Sequence, residues 1–136
     1  LATALWLLYV LAQLLSPTPP MLAEGRVAYS AATLSTLRHA GTPVLVDATA
    51  AWCLSCKVNE RVALNPASMQ QFFREQHVTL MVADWTNNDP DITAYLAEFG
   101  RNGVPLYVYY PPHGEPRVLP QILTPSLVRE AITAPN

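Results

Sequence analysis

The chain reads as an α/β protein, a central mixed β-sheet flanked by helices. Three observations predict it. Apolar, β-branched runs of strand length at 42–50, 78–85 and 104–110 alternate with stretches that carry helix caps and terminal glycines. After the last of these runs the turn PPHGEP (111–116) leads into another short apolar run, which allows an antiparallel hairpin at the edge of the sheet. Of 136 residues, 51% are hydrophobic and only 13% charged, enough apolar material for one domain with a real core.

The elements follow in order. LATALWLLYVLAQLL (1–15) carries no charge. As a helix it spans about 22 Å, short of the ~30 Å hydrocarbon core of a bilayer. It shows neither a basic leader nor a small-residue cleavage site. Three readings stand: the cut end of a transmembrane helix, an uncleaved anchor, or an amphipathic helix packed on the domain. Its near-uniform apolarity favours the end of a transmembrane or anchor helix. SPTPPMLAEG (16–25), with Pro17, Pro19 and Pro20, reads as a stiff linker, so the folded domain is expected over 26–136.

Within that domain, 30–41 opens on Ser30 and closes on Gly41, a helix. TPVLVDATA (42–50) is a buried strand. LSCKVNERVAL (54–64) and NPASMQQFFREQ (65–76) are helices, the second with Asn65 as cap and Pro66 in its first turn. VTLMVADW (78–85) is a strand, and 89–100 a helix with a first-turn proline and a closing Gly100. VPLYVYY (104–110) is a strand, RVLPQIL (117–123) a short last strand and TPSLVREAITA (124–134) a last helix. Met69 and Met81 read as core, and Tyr107, Tyr109 and Tyr110 as alternating core and surface positions of a pleat.

A net charge of −2, with seven arginines and one lysine dispersed along the chain, argues against a nucleic-acid partner. The chemistry concentrates instead in AAWCLSCKVNE (50–60), which holds the only two cysteines, Cys53 and Cys56. A structural zinc site wants four ligands in close pairs, whereas His39, His77 and His113 are scattered singly. A structural disulfide across two intervening residues removes little chain entropy. The redox reading has a positive reason. Cys53 follows a strand and opens a helix, where amides and dipole stabilise a thiolate, and Cys56 lies one turn on as the resolving thiol. A CxxC after a βα pattern is a recognised redox signal. Such a dithiol carries two electrons itself, so no cofactor and no metal is expected.

Trp52 before Cys53, Asp47 in the preceding strand and GVP (103–105) opening a later one, in this order, resemble the thioredoxin superfamily. More narrowly, VLVDATAAWCLSCKVNE, VADWTNNDPDITAYLAEFGRNGVPLYVYYP and VLPQILTPSLVREAI resemble the C-terminal periplasmic thioredoxin-like domain of the DsbD family of thiol:disulfide interchange proteins and its ScsB-like relatives, over about residues 28–134. The resemblance implies a thioredoxin fold, with Cys53 as nucleophile and Cys56 resolving. It implies a cis Pro105 facing the dithiol, Val104 offering backbone to a docking peptide, and Trp52 shielding the sulfurs. It further implies an inner-membrane protein whose domain faces the periplasm. The domain's electron donor would be its own transmembrane domain, and the acceptor a periplasmic thiol-disulfide domain or protein. Ala51 departs from the pattern, since many members carry an acid there.

Asp47 and Glu60 flank the dithiol, and two carboxylates near Cys53 oppose its ionisation and favour the reducing, thiol-holding state. Lys57 either pairs with one of them or is solvated. Two rivals share the fold: an anchored reductase serving cytochrome c maturation, and a non-catalytic module that binds copper or a client protein.

Overall fold

A computed structural model describes residues 2–14, 21–22 and 25–135. Most of the expected linker, 16–25, lies outside the described residues. In chain order the elements are α1 (Ala2–Leu14), β1 (Val27–Ala28), α2 (Ala31–His39), β2 (Val44–Thr49), α3 (Leu54–Asn59), which continues into a π-helical turn (Glu60–Leu64), α4 (Ala67–Glu75), β3 (Thr79–Asp84), α5 (Pro90–Glu98), β4 (Leu106–Tyr110), β5 (Arg117–Val118) and α6 (Pro125–Thr133).

The sheet runs β1-β3-β2-β4-β5. β1, β3 and β2 are parallel, and β4 is antiparallel to both β2 and β5. β2 therefore lies at the centre, with Asp47 level with Val82 on one side and Tyr107 on the other. Its side chains alternate between two cores. Val44, Val46 and Ala48 pack with Leu34 of α2 and Ile92, Tyr95 and Leu96 of α5. Leu45 faces the other way, towards Ala63 and Leu64, Met69, Phe72 and Phe73 of α4, and Val128 and Ile132 of α6. All six residues of β2 are buried because helices cover both faces. The same covering buries Tyr107, Tyr109 and Tyr110 together, so none of them is a surface position.

Local chemistry sets most boundaries. Ser30, Asp89 and Thr124 cap α2, α5 and α6 through their side chains. Gly41 (φ 72°) and Gly100 (φ 68°) close α2 and α5 in the left-handed conformation that glycine adopts without a Cβ penalty. Three expectations are corrected. Asn65 does not cap α4: Pro66 holds that position without a side-chain bond, and Asn65 accepts from the Arg26 guanidinium instead. The helix expected over 54–64 changes to π geometry at Glu60, with Asn65 N–H donating to the Glu60 carbonyl at 2.7 Å. β5 stops at Val118 because Pro120 has no N–H to give a ladder. β1, too short to announce itself, pairs through two residues only.

In α1 Leu5, Trp6, Leu7, Leu8, Tyr9, Leu11 and Leu14 are all exposed, which goes against a helix packed on the domain. Among the described residues no helix is long and apolar enough to cross a membrane.

One buried polar residue ties the site-bearing helix to the end of the chain. Asn59 donates to the Tyr107 hydroxyl (2.9 Å) and the Gln121 carbonyl (2.7 Å), and accepts from Leu123 N–H (3.0 Å). Asn59→Ala leaves the buried Leu123 N–H unpaired and is expected to cost about 2–4 kcal/mol. Urea denaturation of the two proteins checks it, and a loss under about 0.5 kcal/mol would count against the role.

Candidate active site

β2 delivers the chain to a turn at Ala51 and Trp52, and α3 starts immediately after Cys53. Cys53 is the N-cap of that helix, in extended conformation, and its Sγ accepts from Cys56 N–H at 3.2 Å. The Ser55 hydroxyl stands 3.5 Å from the same sulfur. Cys53 and Cys56 are joined as a disulfide, with Cα atoms 5.2 Å apart. Both cysteines are buried, but Cys53 as a residue retains 7% exposure and Cys56 none. That asymmetry separates an attacking thiol from a resolving one.

Ala50, Cys53 and Cys56 form a small apolar cluster against which Val104 packs. The Val104–Pro105 peptide is cis. Trp52 is 59% exposed. Its Nε1 donates to the Thr86 carbonyl and its ring lies 6.0 Å from that of Trp85. Thr86 also accepts from Ala51 N–H and is itself held by Asp84. Where the family pattern has an acid, the Ala51 backbone is thus fixed from the β3–α5 loop. Leu54 and Val58, on the first turns of α3, are exposed apolar side chains.

Asp47 has the same parity as Leu45, which turns its side chain towards the α3 side of the sheet. It is 1% exposed, and neither carboxylate oxygen has a hydrogen-bond partner among the described residues. Burial, and after it the charge of Glu60, push its pKa up to about 7; Arg26 and Lys57 pull in the opposite direction. Glu60 is not a loose carboxylate on a helix face. Its Oε1 accepts from Thr49 Oγ1 at 2.8 Å and its Oε2 from Lys57 Nζ at 3.0 Å. Lys57 is therefore paired. Asp47, Thr49, Lys57 and Glu60 line one cavity of about 420 Å³ with Arg26, Asn65 and Asp84.

The structure thus brings Asp47 and Glu60 to one cavity, and Cys53, Cys56 and Val104 to one cluster. Sequence reading missed Arg26, Thr49 and Ser55. Thr49 had a signal, being polar at a core-facing parity two residues after Asp47. Arg26 had none, since it precedes a two-residue strand.

A thioredoxin-like family model matches residues 26–112. The chain belongs to the thioredoxin-like family. Among relatives, it is 36% identical over 84 residues to the thiol:disulfide interchange protein DsbD 1 of Pseudomonas aeruginosa, and 34% identical over 74 residues to DsbD of Ralstonia nicotianae. These alignments cover 62% and 54% of this chain but only 14% and 12% of those proteins. Among solved structures, this thioredoxin-like domain is similar to the oxidised C-terminal domain of Neisseria meningitidis DsbD, with a TM-score of 0.61 and 26% identity over 78% of this chain and 95% of that one. The reduced form of the same domain also gives a TM-score of 0.61, at 24% identity.

Proposed function

We propose that this thioredoxin-like domain is a protein-disulfide reductase that relays reducing equivalents by dithiol–disulfide exchange. The observation that carries the reading is the Cys53–Cys56 disulfide at the head of α3, Cys53 keeping a trace of exposure and an amide donor on its sulfur, Cys56 fully buried behind it.

In the reduced protein the Cys53 thiolate attacks one sulfur of a partner disulfide. The Cys53–partner bond forms, and the partner's second sulfur leaves and takes a proton. Cys56 then loses its proton and attacks Cys53 Sγ, which closes the intramolecular disulfide and releases the partner as a dithiol. Cys56 N–H, which meets Cys53 Sγ, stabilises the attacking thiolate. Asp47, whose pKa is raised to about 7, is suited to accept a proton at neutral pH, and Glu60 supports that raised value. Val104 and cis Pro105 supply backbone and shape against which a peptide lies, and Trp52 and Leu54 supply apolar contact.

By likeness to the DsbD proteins, the electron donor is a membrane-embedded part of the same protein and the acceptor a periplasmic thiol-disulfide partner. The inner membrane is reached through the apolar segment of which α1 is the described part. The reading is tested by equilibrating the purified domain with glutathione and with thioredoxin. The expected reduction potential lies at about −200 to −270 mV, with catalysed reduction of insulin by dithiothreitol. A pair that neither exchanges nor speeds insulin reduction removes the proposal.

A further inference from the structure

The cavity over Asp47 is closed from an unexpected direction. Its lining comes from β2 (Asp47, Thr49), α3 and the π turn (Lys57, Glu60), β3 (Val82, Asp84) and also from residues ahead of β1, Leu22 and Arg26. Those residues are folded back on the domain. Leu22 N–H donates to the Arg26 carbonyl, and Met21 bridges Val27, which itself pairs with Met81 of β3. The Arg26 guanidinium reaches across to the Asn65 side chain, at the end of the π turn that starts at Glu60.

We propose that Arg26 is a positioning residue of the exchange site: held by Asn65 at the wall of the cavity over Asp47, it sets the charge state of that carboxylate. The inference deepens the exchange function and rests on it. A cation at the cavity wall favours the ionised form of a buried carboxylate that has no hydrogen bond of its own. The other groups facing Asp47 do not replace it. Lys57 is engaged by Glu60. Glu60 and Asp84 carry the same sign as Asp47. The Tyr107 hydroxyl on β4 is held by the Asn59 amide, and its own pKa is raised by burial and by Asp47, so it stays neutral. Replacing Arg26 therefore shifts Asp47 towards its protonated form.

The test is a carboxyl-carbon NMR titration of Asp47 in the oxidised full chain, assigned by loss of the signal in Asp47→Asn. Arg26→Gln is expected to raise the Asp47 midpoint by about 1 unit, while Arg26→Lys stays close to wild type. Asn65→Ala, which removes the Asn65 contact of the guanidinium, is expected to move the midpoint in the same direction by less. An unmoved midpoint in Arg26→Gln, in a protein of unchanged melting temperature, overturns the proposal. A shift in Arg26→Gln without one in Asn65→Ala overturns the anchoring half of it. Because the readout needs no partner and no turnover, its failure leaves the exchange reading standing, and a failed exchange assay leaves the titration informative.

Discussion

Cys53→Ser is expected to reduce insulin reduction to the uncatalysed background, whereas Cys56→Ser is expected to accumulate a covalent adduct with the disulfide substrate. The two outcomes differ because the structure gives the sulfurs different surroundings. Cys53 is the residue with residual exposure and its Sγ has an amide donor, so it is expected to make the first bond to a partner. Its oxygen analogue is a far poorer nucleophile at neutral pH, and the one other thiol of the chain, on Cys56, is fully buried. Cys56 is fully buried and meets only a sulfur already placed beside it. Without it the Cys53–partner bond forms and has no intramolecular route to resolution. Mass spectrometry of the trapped species under non-reducing conditions checks both. An adduct formed through Cys56 in Cys53→Ser would reverse the assignment of roles.

Asp47→Asn is expected to stabilise the oxidised protein by about 2–4 kcal/mol at pH 8 and by almost nothing at pH 4. The sign follows from the raised pKa. Well below pH 3.8 the Asp47 carboxyl is protonated in both folded and unfolded chains and costs the fold little. As pH rises through the ordinary carboxylate value of 3.8, the unfolded chain ionises while the folded one holds its proton to about 7, so stability falls across that window and then levels. A displacement of about 3 units corresponds to about 4 kcal/mol as an upper figure. The amide removes the ionisation and with it the pH dependence. Urea denaturation at the two pH values is the measurement. An equal gain at both would mean that Asp47 is destabilising through shape rather than charge. A residue that weakens the fold at the pH where it works is characteristic of a site selected for chemistry.

Much of this was legible in the residues because each signal was local. CxxC after a β-branched strand, a helix grammar of cap and glycine, and a carboxylate inside an apolar strand are each read within a few positions. The parts that were not legible depend on contacts between distant segments. Asn65 looked like a cap because it stands before a proline, yet the Arg26 guanidinium, 39 residues away in sequence, takes its side chain. Glu60 could be read as a charge flanking the dithiol, but not as a bonded one, because the hydroxyl that orients it sits on β2. The burial of Tyr109 and Tyr110 could not be read from alternation alone, since two covered faces erase the contrast on which alternation depends.

The two outer strands, β1 and β5, contribute two residues each to the sheet. Stunted borders of this kind leave almost no row of unpaired amides and carbonyls along either flank. Recognition by strand addition, in which a peptide lengthens the sheet sideways, therefore has little to hold on to, and so does edge-to-edge aggregation of one copy with another. Any polypeptide that this domain recruits is channelled away from the flanks and towards the loops at the end of the sheet where Cys53 lies.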